Sequence, residues 1–573
     1  MRSRYSASGI ASESASPTNH GDCRSTGLVR AVAERRSPAP DSFVDRRQVF
    51  SQPLPKMTQN EARQGAIKDE IKFLSERITL LKAEYNSISL TSILPNEVLV
   101  EIFSGVPDPE YLLRDFQGLM LVCRHWHDVL LAAPALWSNL TCGPHLTGRE
   151  ISIQLGRSVP ALLTIIIDGV DDLPSLWPMI LINADRIKSL ELGGRKSFVL
   201  DFMHRMRQFD FPFLQSLTFR PNQYGEDLEN AAGKMDAHLP LELLEGGMPR
   251  LSQLSLSSID ARWASLPPLQ SLVLVDGPRS LAFATLFGIL RSSPALHTLK
   301  LDRMIHATEP ETFHPLELPH LGLLFISDAL PQCEVLLANL VFPATTRLHL
   351  YPQDLNTGVQ IRDILVPIRK HLHARNAPLA PSMALVASRG GIGTHFAVTC
   401  YPDRTARFGP DEDSVFVIRS DPTNAPALRQ IMIKVLKALP TGAITFLDAT
   451  RAHLTLPAWK VALGLLPAIE TVRLLAADTG TEFCKAALQI GYPLQTISVF
   501  SLDDRDEAEG VAPFIDALTC LLQGYCTSGR PLPCLIVKHI FFRTAKFKVE
   551  ARRWKGFRPL VGTFDLKNKL GGW

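Results

Sequence analysis

The sequence predicts an α/β chain that opens with a short coiled-coil helix, passes through a compact three-helix module and continues as an irregular repeat solenoid. Three observations predict this. Apolar residues are spaced alternately by four and three between Ile67 and Ile88, two apolar helical runs lie between Ile93 and Trp137, and a leucine triplet recurs beyond residue 150.

Size and charge set the limits. The 573-residue chain is too long for one ordinary core, and length alone suggests roughly three or four domain-sized units or one elongated array. With 60 basic against 57 acidic residues the net charge is +3, which gives the whole protein no reason to bind a polyanion. Its nine cysteines are scattered and form no C-x-x-C pair, the usage of a reduced protein of the cytoplasm and/or nucleus. The densest apolar run, Ala161 to Ile167, is of strand length, far short of the ~18 residues that cross a bilayer. A soluble chain without a membrane partner is expected.

The first fifty residues are rich in Ser, Ala, Arg and Pro and lack the apolar stretch of a secretory signal, so the reading is a disordered segment over 1–60. A transit peptide is the alternative, opposed by Glu13, Asp22, Glu34, Asp41 and Asp45. Met57 is a second candidate start, because everything recognisable follows it.

Over 61–90 the seam Ile67, Ile71, Leu74, Ile78, Leu81, Tyr85 and Ile88 keeps the 3.5-residue period of a coiled coil. Charged Lys68, Asp69, Glu70, Lys72, Glu76, Arg77, Lys82 and Glu84 solvate the rest of the helix. Two readings stay open: an amphipathic helix packed on its own chain, or self-association through 67–88.

Next comes Ile93-Leu94-Pro95-Asn96-Glu97-Val98-Leu99-Val100-Glu101-Ile102-Phe103. Pro95 suits a first helical turn, where its missing N–H would be unpaired anyway, and Glu97 suits the positive end of the dipole. Leu94, Val98, Leu99, Ile102 and Phe103 form one apolar stripe, and a second apolar helix is expected over Leu119 to Leu131, closed by Pro134-Ala135-Leu136-Trp137. A module of this size cannot bury so many large side chains alone, so part of its surface must meet a partner or the rest of the chain.

These residues closely resemble an F-box, whose pattern runs L-P-x-E, Ile-Phe, Val-Cys-(Arg/Lys)-x-Trp and Pro-x-Leu-Trp. Leu94, Pro95, Glu97, Ile102, Phe103, Val122, Cys123, Arg124, Trp126, Leu136 and Trp137 stand in that order within 91–142. Together with the preceding heptad helix they are similar to the large F-box families of basidiomycete fungi. The spacing from Phe103 to Val122 is longer than the commonest form, with Pro107, Asp108 and Pro109 in the gap. The resemblance implies docking of a Skp-family adaptor, and through it a cullin. Leu94, Pro95, Leu99, Ile102 and Phe103 would meet the adaptor, and Val122 and Trp126 would be shared with the module's own core. Cys123 reads as a buried small hydrophobe.

Beyond residue 150 the triplet appears as Leu214-Leu217-Phe219, Leu251-Leu254-Leu256, Leu269-Leu272-Leu274, Leu296-Leu299-Leu301, Leu321-Leu324-Ile326 and Ile469-Val472-Leu474. Partial copies fall at Ile187-Leu190-Leu192 and Leu348-Leu350, and the steps between middle positions from 190 to 348 are 27, 37, 18, 27, 25 and 24. Most are near the ~20–29 residues of leucine-rich repeats, in which each unit supplies one strand of a stacked array. Pro212, Pro249, Pro268 and Pro294 shortly precede their strands, where a proline costs no interior ladder bond. The N/C-x-L ending is missing, so degenerate repeats are expected over 150–355. After that, 356–545 reads as continuing repeats or as a separate α/β extension. Helices are expected at Ile361–Leu372 and Leu428–Leu439, and strands at Met383–Ala387, Phe396–Tyr401 and Ala443–Leu447.

Chemistry finds little footing. Arg389-Gly390-Gly391-Ile392-Gly393-Thr394 lacks the third glycine of G-x-G-x-x-G and the lysine of a P-loop, and reads as a strand-connecting turn. His371 and His373 read as a solvated helix end, and His125 and His127, two apart on a helix, cannot share a metal. The clusters Asp411-Glu412-Asp413 and Asp503 to Glu507 lack calcium-loop spacing and read as solvated loops. Over 546–573, Lys546, Lys548, Arg552, Arg553, Lys555, Arg558, Lys567 and Lys569 interleave with Phe547, Trp554, Phe557 and Phe564. That mixture can bind RNA or acidic faces, but a segment pinning its aromatics onto the last repeat is the favoured reading. The expectation is therefore a non-catalytic receptor subunit of a Skp–cullin–F-box ubiquitin ligase. It has no cofactor, metal or catalytic residues, and its protein substrate is unknown. A ligase-independent repeat scaffold with an F-box-like cap is the alternative, and a nucleotide-binding protein using the Gly390 loop is a third reading.

Overall fold

The computed structural model describes residues 59–568, leaving out 89–90, 92–93, 107–111, 144–146, 169–175, 223–237, 242, 278–280, 306–312, 354–360, 391–392, 404–412, 421–424, 502–507 and 540–553. The expectations for 1–58, Met57, Pro107–Pro109, Asp411–Glu412, Asp503–Glu507 and the parts 546–553 and 569–573 of the basic tail lie outside the described residues. The chain divides into a unit of residues 1–82 and one of 83–573.

In the first unit, α1 (Gln59–Ser87) is a 29-residue helix that runs on past residue 82. The seam residues Ile67, Ile71, Leu74, Ile78 and Leu81 are all exposed.

The second unit opens with α2 (Asn96–Ser104), α3 (Leu112–Met120) and α4 (Arg124–Ala132), followed by a 3-10 turn over Pro134–Trp137. Pro95 sits just before α2, and its carbonyl accepts from the Val98 and Leu99 N–H groups at 3.1 Å. The single helix expected over Leu119–Leu131 is broken. Cys123 takes an extended conformation and its Sγ accepts from the Trp126 N–H at 3.5 Å, capping α4. Cys123 is thus a half-buried cap rather than a buried hydrophobe. An unbroken apolar run conceals such a break, because the cap acts through a backbone bond that leaves no mark on hydropathy.

The rest of the unit is mixed α/β, and its described residues form a 17-stranded sheet. Its strands begin with β1 (Asn139–Cys142), β2 (Leu163–Ile167), β3 (Ile187–Arg195), β4 (Ser216–Asn222), β5 (Gln253–Ser257), β6 (Ser271–Val275) and β7 (Thr298–Asp302). Then come β8 (Leu316–Glu317), β9 (Leu323–Ser327), β10 (Leu340–Val341), β11 (Arg347–Leu350), β12 (Ser382–Gly390), β13 (Gly393–Tyr401) and β14 (Phe416–Ser420). The last are β15 (Phe446–Ala452), β16 (Thr471–Leu475), β17 (Thr496–Ser501), β18 (Leu532–His539) and β19 (Val561–Asn568). Among the described residues β8 and β10 pair with each other, apart from the large sheet.

From β1 to β7, then β9 and β11, each strand lies parallel to the one before it. β11 next pairs with β14, and β13 and β12 follow in space. Parallel pairing resumes from β12 to β15 and on to β19. β13 is the strand that runs against both its neighbours. Described strands from before and after 354–360 therefore belong to one sheet.

The triplets explain the registry. Leu217, Leu254, Leu272, Leu299, Leu324 and Leu348 face one another across successive strands, as do Phe219, Leu256, Leu274, Leu301, Ile326 and Leu350. All are at most 1% exposed, so two apolar rows run through one core. The first residue of each triplet lies ahead of its strand. The N–H groups of Leu214, Leu251, Leu296 and Leu321 bond back three residues to the carbonyls of Phe211, Met248, Ser293 and Leu318. Pro212, Pro249, Pro294 and Pro319 thereby occupy the second position of a β-turn, for which proline's fixed φ is suited. Parallel strands need a crossover, supplied by helices such as Phe283–Ser292, Leu456–Leu465 and Asp478–Ile490. The shortest step, from β5 to β6, has room only for the 3-10 turn Trp263–Ser265.

The helices expected after residue 356 are found at Arg362–Leu372 and Ala425–Ala438. β15 begins at Phe446, later than expected. His371 is a correction. It is buried rather than solvated, and its Nε2 donates to the Thr346 carbonyl at 2.9 Å. Burial holds its pKa below the ordinary 6.5, only partly offset by that bond. The folded chain thus takes this proton less readily than the unfolded one, so the His371 contribution is present above pH 6.5 and lost as pH falls below it. The stability gap between the wild type and His371→Gln, measured by urea unfolding, should narrow from pH 7.5 to about 5.5. A gap constant over that range would contradict this.

At the C-terminal end Trp554 and Phe557 are buried in the core, Trp554 lies 6.3 Å from Phe514, and β19 extends the sheet. These aromatics are structural side chains and are withdrawn from any stacking surface.

Candidate docking face of the helical module

The helical module has its own small core of Leu99, Phe103, Phe116, Val129, Leu130, Leu136 and Trp137. Trp137 holds it together. Its Nε1 donates to the Leu130 carbonyl at 2.7 Å, the Phe116 ring meets it edge-on at 5.0 Å, and the Arg157 guanidinium lies 4.5 Å over it. Phe103 and Trp126 make a second edge-on pair at 5.0 Å. Phe116 belongs to α3, between Phe103 and Val122, and supplies a core side chain from that stretch.

The apolar stripe of α2 divides. Leu99 and Phe103 are 1% exposed and turn inward, while Val98 and Ile102, one turn apart on the same helix, point to solvent. Leu99 and Phe103, both expected to meet the adaptor, lie in the module's own core here, because α2 rests on α4 and the 3-10 turn along that side. Pro95 is exposed, and Leu94 and Trp126 are half-buried against the module core. The broken turn between α3 and α4 presents Leu121 at 86% and Val122 at 55% exposure. Leu121 and Val98 were not among the residues expected to dock. The resemblance could not single them out, because only the break at Cys123 turns Leu121 outward.

The other candidates resolve as structure. Gly390 pairs across from Gly393 at the tip of the β12–β13 hairpin, as expected of a connecting turn, while Gly391 and Ile392 lie outside the described residues. His373 Nε2 lies 3.2 Å from the Ala438 carbonyl. Among the described residues no group of three or more His, Cys, Asp or Glu could hold a metal ion. No helix among them is long and apolar enough to cross a membrane. Burial pushes the Cys142, Cys333 and Cys400 thiols up to about 12, which removes them as nucleophiles.

No curated protein matches the chain. Residues 91–143, the stretch that forms this module, match the F-box-like family model, a domain typical of non-catalytic adaptor subunits of ubiquitin ligases that generally binds a Skp-family adaptor.

Proposed function

We propose that the chain is the substrate-receptor subunit of a Skp–cullin–F-box ubiquitin ligase. The observation that carries this is the division of the F-box-like module, whose closed core leaves Val98, Ile102, Leu121 and Val122 facing solvent. Exposed aliphatic residues on a module of this size are costly to keep without a partner. Pro95, Val98, Ile102, Leu121 and Val122 form the contact face, Leu94 and Trp126 its edge, and Leu99 and Phe103 the scaffold beneath it.

The sheet unit is read as degenerate leucine-rich repeats running through 150–355 and on through 356–545. Recurring backbone details support this. The Gln215, Ser252 and Gln270 carbonyls each take two N–H groups from the next strand's start, and so do the Thr445 and Glu470 carbonyls far downstream. Ser258, Asp276 and Arg303, each immediately after its strand, all adopt φ near 50° and donate to the end of the following strand. The missing N/C-x-L ending is thus replaced by a repeated backbone turn. The open face of the sheet would hold a protein substrate near the ubiquitin-loaded enzyme, raising the effective concentration of its lysines without catalysis by this chain. The cytoplasm and nucleus suit its free thiols.

One observation favours a ligase-independent scaffold. Arg157, in the first helix after the module, stacks on Trp137, so the module also closes one end of the sheet. Co-expression of the full chain with a Skp-family adaptor and a cullin separates the two readings. Stoichiometric co-elution is expected for the receptor, and elution of the chain alone would leave the scaffold.

A further inference from the structure

We propose that α1 joins two copies of this chain as an antiparallel coiled coil in one register. The heptad seam leaves the partner's direction open, and the charges beside it decide. Ile71, Ile78 and Tyr85 occupy one core position of the heptad, and Ile67, Leu74, Leu81 and Ile88 the other. All seven are exposed. The flanking positions carry Arg63, Glu70, Arg77 and Glu84 on one side and Glu61, Lys68, Ser75 and Lys82 on the other.

In a parallel pair these two sides meet, setting Arg63 against Lys68 and Arg77 against Lys82 of the second copy. In an antiparallel pair each side meets itself. The register that places Ile71 opposite Leu74, and Ile67 opposite Ile78, then sets Glu70 against Arg77, Arg63 against Glu84 and Glu61 against Lys82. Two-fold symmetry doubles every one of these pairs. Almost the whole helix overlaps, with Asn60 opposite Tyr85 near the ends of Gln59–Ser87.

The neighbouring registers are disfavoured. Slipping one heptad one way sets Glu70 against Glu84, Arg77 against itself and Lys68 against Lys82. Slipping the other way sets Arg63 against Arg77, with Glu70 and Lys68 each against itself. Repulsion in the alternatives fixes register and direction, where the apolar seam alone would accept several.

Sedimentation equilibrium of the full chain at low ionic strength tests this. A dimer is expected, with Ile71→Asp/Leu74→Asp monomeric. Glu70→Arg and Arg77→Glu alone should each weaken the dimer about tenfold, and together restore it, since the double change re-forms the pair with signs exchanged. Helical content by circular dichroism should stay constant across the charge variants. A monomeric wild type would overturn the proposal, and so would a dimer indifferent to both single changes. Tighter association of Arg77→Glu would establish the parallel arrangement instead, because there residue 77 faces Lys82.

Discussion

Replacing Ile102 and Val122 together by aspartate should weaken binding of a Skp-family adaptor by about a hundredfold or more without unfolding the module. Each side chain is about half exposed, so neither substitution opens a cavity. Docking would bury both, and burying a large aliphatic side chain is worth ~1.5–3 kcal/mol. Two are enough for a factor of about one hundred, since ~1.4 kcal/mol is tenfold, and an unpaired carboxylate in the interface adds a desolvation cost. The contrast is Phe103→Ala. Phe103 is 1% exposed and packed on Trp126, so its truncation should cost about 3–5 kcal/mol of module stability. Calorimetric titration with the adaptor, alongside thermal unfolding, separates the cases. Unchanged adaptor affinity in the double aspartate variant would remove this face from the interaction.

The second large effect concerns the sheet. Asp448 on β15 is fully buried and accepts from the Thr450 N–H at 3.1 Å, the Thr450 hydroxyl at 2.8 Å and Arg473 Nη1 at 2.8 Å. Arg473, directly across on β16, lies 5.1 Å from the Phe446 ring and 5.3 Å from the Phe500 ring, on strands to either side. Arg473→Met keeps the packing and removes the charge, leaving a buried carboxylate with two hydrogen bonds. Breaking a buried pair in this way costs about 3–5 kcal/mol. Adding Asp448→Asn should recover most of it, because the pair as a whole is worth far less than either orphan. Urea unfolding of the four proteins of this cycle measures the coupling. A loss below about 1 kcal/mol for Arg473→Met would mean that water reaches Asp448.

How much of this was legible follows from which interactions are local. The leucine triplets gave the strands because period-two burial is written in consecutive residues, and Leu217, Leu254 and Leu272 fall in register although the steps between them, 37 and 18 residues, are the least regular. Gly390 and Gly393 gave their hairpin for the same reason. The division of α2 was not legible, since inward Leu99 and Phe103 and outward Val98 and Ile102 make one stripe until the position of α4 is known. Nor was the Asp448–Arg473 pair, whose members lie on different strands and meet only through sheet register. Burial of His371 likewise depends on Thr346, 25 residues earlier in the chain.

The reversed strand β13 has a consequence for how the chain comes to its fold. Elsewhere in the large sheet, β8 and β10 aside, each new strand lies beside the sheet strand before it, so order grows by short steps. At the centre it does not. β14 occupies the place beside β11, so the chain must first go out through β12 and return through β13 before that edge is covered. The central meander joins the two flanking runs, and pairing β14 with β11 closes the longest loop between neighbouring parallel strands among the described residues.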